Sequence, residues 1–202
     1  VVKLGTILEL NVPERVKYSY PIEIGARLLD ANGDPISDQT IKFYVLSQSR
    51  QEEIGTNVTD ASGYVRLRYH GILDAGDYRI KAVYEGSASQ DATLMTVGIR
   101  ILAISTKIIP NIPGSITVGQ SVNVTIQLTD ETDKPISSQT VEFYADNVKF
   151  GTAVTNDKGL ASILYAPGKR GSMELRIKYE GGGNYAGAEW SGTIPIEAIR
   201  TT

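Results

Sequence analysis

The stretch LLDANGDPISDQTIKFYV, which begins at Leu28, returns as QLTDETDKPISSQTVEFYA from Gln127. At a shift of about one hundred residues, Pro13 meets Pro113, Asp30 meets Asp130, Pro35-Ile36 meets Pro135-Ile136 and Phe43-Tyr44 meets Phe143-Tyr144. The first copy then carries four extra residues within LSQSRQEEI, and the match resumes as GTNVTDASGYVRLRY against GTAVTNDKGLASILY. A self-match this long, broken only by a small insertion, is the mark of duplication. The chain is predicted to hold two copies of one module, over residues 1–101 and 102–202.

Each copy reads as β. Ile22, Ile24, Ala26 and Leu28 alternate with Glu23, Gly25 and Arg27, and Ile41, Phe43 and Val45 with Lys42 and Tyr44. The second copy repeats the scheme with Val122, Val124, Ile126 and Leu128, and with Val141, Phe143 and Ala145. Period-two alternation buries one face of a strand and wets the other. Turn residues punctuate the strands: Asn32-Gly33 in ANGD predicts a tight hairpin, and DASG and NDKG each end on a glycine, Gly63 and Gly159. Short strands at regular spacing, with no sustained helical period, predict an all-β fold of two tandem two-sheet sandwiches.

Composition removes several kinds of chemistry. With no cysteine and His70 as the sole histidine among 202 residues, disulfides, thiolate catalysis, His-pair metal sites and His-based triads have no residues to build them. A lone Ser, Thr or Glu has no positioned partner, so neither catalysis nor a cofactor is expected. A net charge of −3 argues against a nucleic-acid binder, and no apolar run is long enough to insert directly into a membrane.

The order D-x-x-x-x-P-I, T-[IV]-x-F-Y, G-T-x-V-T-[DN]-x-x-G and Y-E-G resembles the immunoglobulin-like repeat family of bacteria and archaea, across both copies. That resemblance implies immunoglobulin-like sandwiches in tandem and an extracellular, cell-surface location, as in adhesins, surface layers and filaments. Its motifs mark turns and core, so they specify fold and say little of function. One departure stands out: the second copy has Asn184-Tyr185 after its last turn, where the first has Ser89-Gln90, so that turn is expected to pack differently.

Between the copies runs TVGIRILAISTKIIPNIP, without a Gly/Ser tether, which predicts a very short linker and sandwiches joined end to end. Leu102, Ile104, Ile108 and Ile112 correspond to Val2, Leu4, Leu8 and Val12, and Leu10 completes the first series where Pro110 stands in the second. This motivates an inter-subunit strand built from Val1, Val2, Leu4, Leu8, Leu10 and Val12 that completes a neighbouring subunit's sheet. The outcome would be a head-to-tail homopolymer, similar to donor-strand pilins and archaeal thread-like filaments. The competing reading keeps residues 5–12 as the first strand of their own module. The function expected is therefore a subunit of a surface filament or pilus. The alternative is an adhesin stalk or accessory module recognising a glycan or protein on host or neighbouring surfaces.

Asn57-Val-Thr59 and Asn123-Val-Thr125 are glycosylation sequons, which makes Asn57 and Asn123 candidate glycan acceptors in an exported protein. Asp30, Asn32 and Asp34 have the spacing of a calcium loop, but Pro35 and Ile41 stand where that loop needs glycine and glutamate. A plain turn is the expectation there, with no metal. Trp190 and the recurring Tyr69, Tyr84, Tyr165 and Tyr179 fall at inward positions and are expected in the core.

Overall fold

The computed structural model describes residues 2–198. The chain divides into two compact units, Val1–Ala103 and Ile104–Thr202. Unit 1 contains β1 (Thr6–Asn11), β2 (Arg15–Lys17), β3 (Ile22–Asp30), β4 (Thr40–Leu46), β5 (Gln51–Val58), β6 (Tyr64–Tyr69), β7 (Gly76–Tyr84) and β8 (Thr93–Leu102). Unit 2 contains β9 (Thr106–Asn111), β10 (Ile116–Thr117), β11 (Val122–Asp130), β12 (Thr140–Ala145), β13 (Val148–Val154), β14 (Leu160–Tyr165), β15 (Gly171–Tyr179) and β16 (Ala188–Glu197).

Each unit packs a three-stranded sheet against a five-stranded one. In unit 1 the orders are β1-β3-β6 and β2-β8-β7-β4-β5; in unit 2 they are β9-β11-β14 and β10-β16-β15-β12-β13. The short strands β2 and β10 pair parallel with β8 and β16, and the other named pairs are antiparallel. This is the immunoglobulin-like two-sheet sandwich, made twice. Leu102 ends β8, where it pairs with Lys17, and so lies with the first unit.

The alternation read from sequence sets the inward faces. In unit 1, Ile22, Ile24, Ala26 and Leu28 of β3 face Ile41 and Phe43 of β4 and Ile80 and Ala82 of β7 in one buried cluster. In unit 2 the cluster is Val124, Ile126 and Leu128 with Val141, Phe143, Leu175 and Ile177. Phe43 and Phe143 are both 0% exposed. Each such side chain contributes about 1.5–3 kcal/mol by burial, so each sandwich has a complete core of its own.

The turns hold two lessons. Gly63 and Gly159 each adopt φ of 71°, and a Cβ there would lie 2.5 Å from the Leu28 carbonyl oxygen and 2.4 Å from that of Leu128. Only glycine fits. The Asn32-Gly33 turn differs from expectation, because only Gly33 takes a positive φ, 89°, and in unit 2 Asp133 fills that place at 65°. The chain makes a turn closed by Gly33 N–H on Asp30 O at 3.1 Å, then a bridge from Leu29 to Pro35. A two-residue hairpin with two positive φ values appears instead at Asp146-Asn147, with 48° and 65°, between β12 and β13. The inserted residues of unit 1 lengthen the matching hairpin, which closes with Ser47 N–H on Arg50 O.

Candidate functional site

The carboxylates that resembled a calcium loop hold turns. Asp30 Oδ1 accepts the amides of Asn32 and Asp34 at 2.8 and 2.9 Å, and Asp130 Oδ1 those of Thr132 and Lys134 at 2.8 and 3.0 Å. Asp130 also accepts the Thr132 hydroxyl at 2.7 Å. Burial pushes the Asp130 carboxyl upward, but these hydrogen bonds outweigh it and hold it below its ordinary range. Asp60 and Asn156 make the equivalent turns before β6 and β14, each accepting from residues two and four positions on. Among the described residues no group of three or more His, Asp or Glu is placed to hold a metal ion.

A second set of polar groups closes one end of each sandwich. Tyr84 donates its hydroxyl to Gln39 Oε1 at 3.0 Å, and Tyr179 donates to Gln139 Oε1 at 2.8 Å. Each glutamine amide reaches the carbonyl two residues before it, Ser37 or Ser137, and each glutamine N–H donates to the hydroxyl of buried Thr59 or Thr155. The sequence marked Thr59 only as the end of a sequon and gave Thr155 no role, although the identical final Thr of GTNVT and GTAVT was a signal for this shared bond. Trp190 is half-buried against the unit 2 core, as Tyr69 and Tyr165 are against theirs.

The two sequons sit differently. On β5, Asn57 Nδ2 donates to Arg66 O at 2.8 Å and its Oδ1 accepts Val58 N–H at 2.9 Å, so its amide ties the edge of one sheet to the edge of the other. Asn123 is exposed on β11 and pairs across to Leu164 of β14. A glycan at Asn57 would contend with a hydrogen bond that the fold already uses.

The expected inter-subunit strand docks at home. β1 pairs with β3 from Thr6 opposite Asp30 to Asn11 opposite Gly25. Leu8 is 6% exposed and Val12 8%, both in the unit 1 core, and Leu10 packs against it. The physical reason is register, since Leu8 lies opposite Leu28 and completes the inward face of its own sheet. Val2 is 94% exposed and Leu4 62%; Val1 lies outside the described residues. Leu4 is anchored through its backbone, donating to Ser89 O and accepting from Asp91 N–H, both at 2.9 Å. Ile104 makes the matching pair with Asn184 and Ala186 at 2.9 Å. The last turns therefore share this frame, while Gln90 Oε1 lies 2.7 Å from the Tyr84 hydroxyl and Tyr185 instead packs on the unit 2 core.

These sandwiches, with their turn carboxylates and their glutamine–tyrosine contacts, define an immunoglobulin-like fold made twice. The model of the bacterial Ig-like domain (group 3) family matches residues 110–196. Among solved structures, invasin, a bacterial integrin-binding protein, is similar over 95% of this chain and 39% of its own, at 17% identity and a TM-score of 0.58. The chain thus spans well under half of that protein, and the likeness shows fold. Escherichia coli alpha-2-macroglobulin matches with a TM-score of 0.44 at 12% identity, over 97% of this chain and 22% of its own. No curated protein matches this chain.

Proposed function

We propose that the chain is a non-catalytic structural segment of a bacterial extracellular protein, a pair of immunoglobulin-like bricks in the stalk of a cell-surface adhesin. The observation that carries this reading is that both units spend the same polar residues, Asp30 and Asp130, Gln39 and Gln139, Thr59 and Thr155, on holding turns and closing the sandwich. Side chains used this way build a spacer. The fold likeness to invasin supports a surface setting, with a protein or glycan on a facing cell as the class of partner for the assembly that carries the stalk. Antibody raised against the folded chain should label intact, unpermeabilised producing cells, and the label should be lost on external protease treatment. Labelling only after permeabilisation would overturn the reading.

A second reading, the head-to-tail filament, is favoured by exposed Val2 and Leu4. With β1 docked at home, residues 2–4 are the part of that segment left exposed. Four ordered residues cost about 1–2 kcal/mol each, which their burial alone barely offsets. Deleting residues 1–4 should abolish fibres seen by electron microscopy of native material if the tip mates with a neighbour. Unchanged fibres, or none in the intact protein, would sink that reading.

A further inference from the structure

We propose that the free edge of β14 is a self-association surface, pairing antiparallel with β14 of a second copy about a two-fold axis. β14 has β11 on one side and ends its sheet on the other. Successive residues of a strand send their N–H and C=O to opposite sides. Leu128 N–H donates to Gly159 O at 2.8 Å, so residues 159, 161, 163 and 165 serve β11 and residues 160, 162 and 164 face the edge. Leu160 O is taken by Asn156 N–H at 3.0 Å, and Leu160 N–H is taken by the Asn156 carboxamide. Ser162 and Leu164 thus present the ladder to solvent, and Leu164 is 63% exposed.

Unit 1 protects the same edge twice over. Its strand β6, YVRLRY, carries Arg66 and Arg68, and the Asn57 amide covers the outward carbonyl of Arg66. In unit 2 the strand is LASILY, without charge, and Ala153 stands where Asn57 would donate. An exposed, uncharged edge strand is a template for another strand.

The occupant that fits is a second copy. Two-fold pairing centred on Ile163 sets Ser162 opposite the partner's Leu164 and Leu164 opposite the partner's Ser162. The residues whose N–H and C=O face the edge then bond each other. The same register brings no like charges of the two strands opposite each other, because Leu160–Tyr165 carries no charged side chain. Applied to β6, it would put Arg66 opposite Arg68, a like-charge pair that opposes association. The contact closes as an isologous dimer, and two three-stranded sheets become one of six strands.

Analytical ultracentrifugation of the unglycosylated full chain tests this, because a glycan on Asn123 would crowd Leu164. A concentration-dependent rise from 21.9 kDa toward twice that mass is expected. Ser162→Pro removes one edge amide and spares the β11 backbone ladder but loses the 2.7 Å hydroxyl contact with Thr125, so a small drop in its melt is expected. Leu164→Lys sets charge at the edge and should leave the melt unchanged, and each should leave the mass monomeric. Ser162→Pro in a chain that unfolds is replaced by Leu164→Lys as the deciding variant. A native chain that stays monomeric, as it would if β14 awaits a strand from another protein, overturns the proposal. So does a dimer that both variants retain.

Discussion

The Tyr179 hydroxyl donates to Gln139 Oε1 at 2.8 Å, from the last residue of β15 to the residue just before β12. Tyr179 is buried, and that burial first, with the nearby Tyr185 second, pushes its hydroxyl pKa up, so it stays a neutral donor through the physiological range. Tyr179→Phe leaves the glutamine oxygen without this donor and should cost about 1–2 kcal/mol in urea unfolding. Tyr84→Phe should be milder, because Tyr84 also meets Gln90 and the two glutamines can rearrange.

Gly159→Ala should be among the most damaging small changes. The added methyl would collide with the Leu128 carbonyl oxygen at 2.4 Å in a backbone at φ 71°, for a loss of at least about 1–3 kcal/mol. Gly98→Ala in β8 is the control, since nothing lies within 4 Å of its new Cβ. It should be neutral or stabilise by up to about 1 kcal/mol. Thermal melts of the pair check both.

Asp130 should make stability depend on acid pH. Its carboxyl is held below the ordinary value of 3.8 in the folded chain, so the folded state binds fewer protons than the unfolded one. Its contribution is complete above that ordinary value and is lost as the pH falls through the lower folded value. Asp130→Asn keeps an oxygen for the turn but loses the charge. The variant should be less stable than the native chain at pH 7, by about 1 kcal/mol, and the gap should close in acid. A gap that does not change with pH would contradict this.

Leu8→Ala should destabilise unit 1 by about 2–5 kcal/mol, because Leu8 fills the core beside Leu28. A strand held for a neighbour's sheet would leave the monomer's denaturation midpoint where it was.

Much of this fold was legible in the residues. The shift that overlays Phe43 on Phe143 and Gly63 on Gly159 also overlays their strands and turns, because period-two alternation and obligatory glycines are local signals. β2 and β10 were not legible, since Arg15–Lys17 and Ile116–Thr117 are too short to show alternation and are held by parallel pairing to distant β8 and β16. The role of Asn57 was hidden for another reason: its partner is a backbone carbonyl, that of Arg66 on the adjoining sheet edge, which no residue type announces. The home docking of Leu8 and Val12 rests on register with β3, which hydrophobicity alone does not separate from register with another chain's sheet.

Each unit is a complete sandwich with its own core. Expressing Val1–Ala103 and Ile104–Thr202 separately and following each by urea denaturation tests it most directly. Two cooperative transitions, each with the dispersed amide spectrum of a β-sandwich, are the expected result. A fragment that is unfolded alone in buffer would contradict the account.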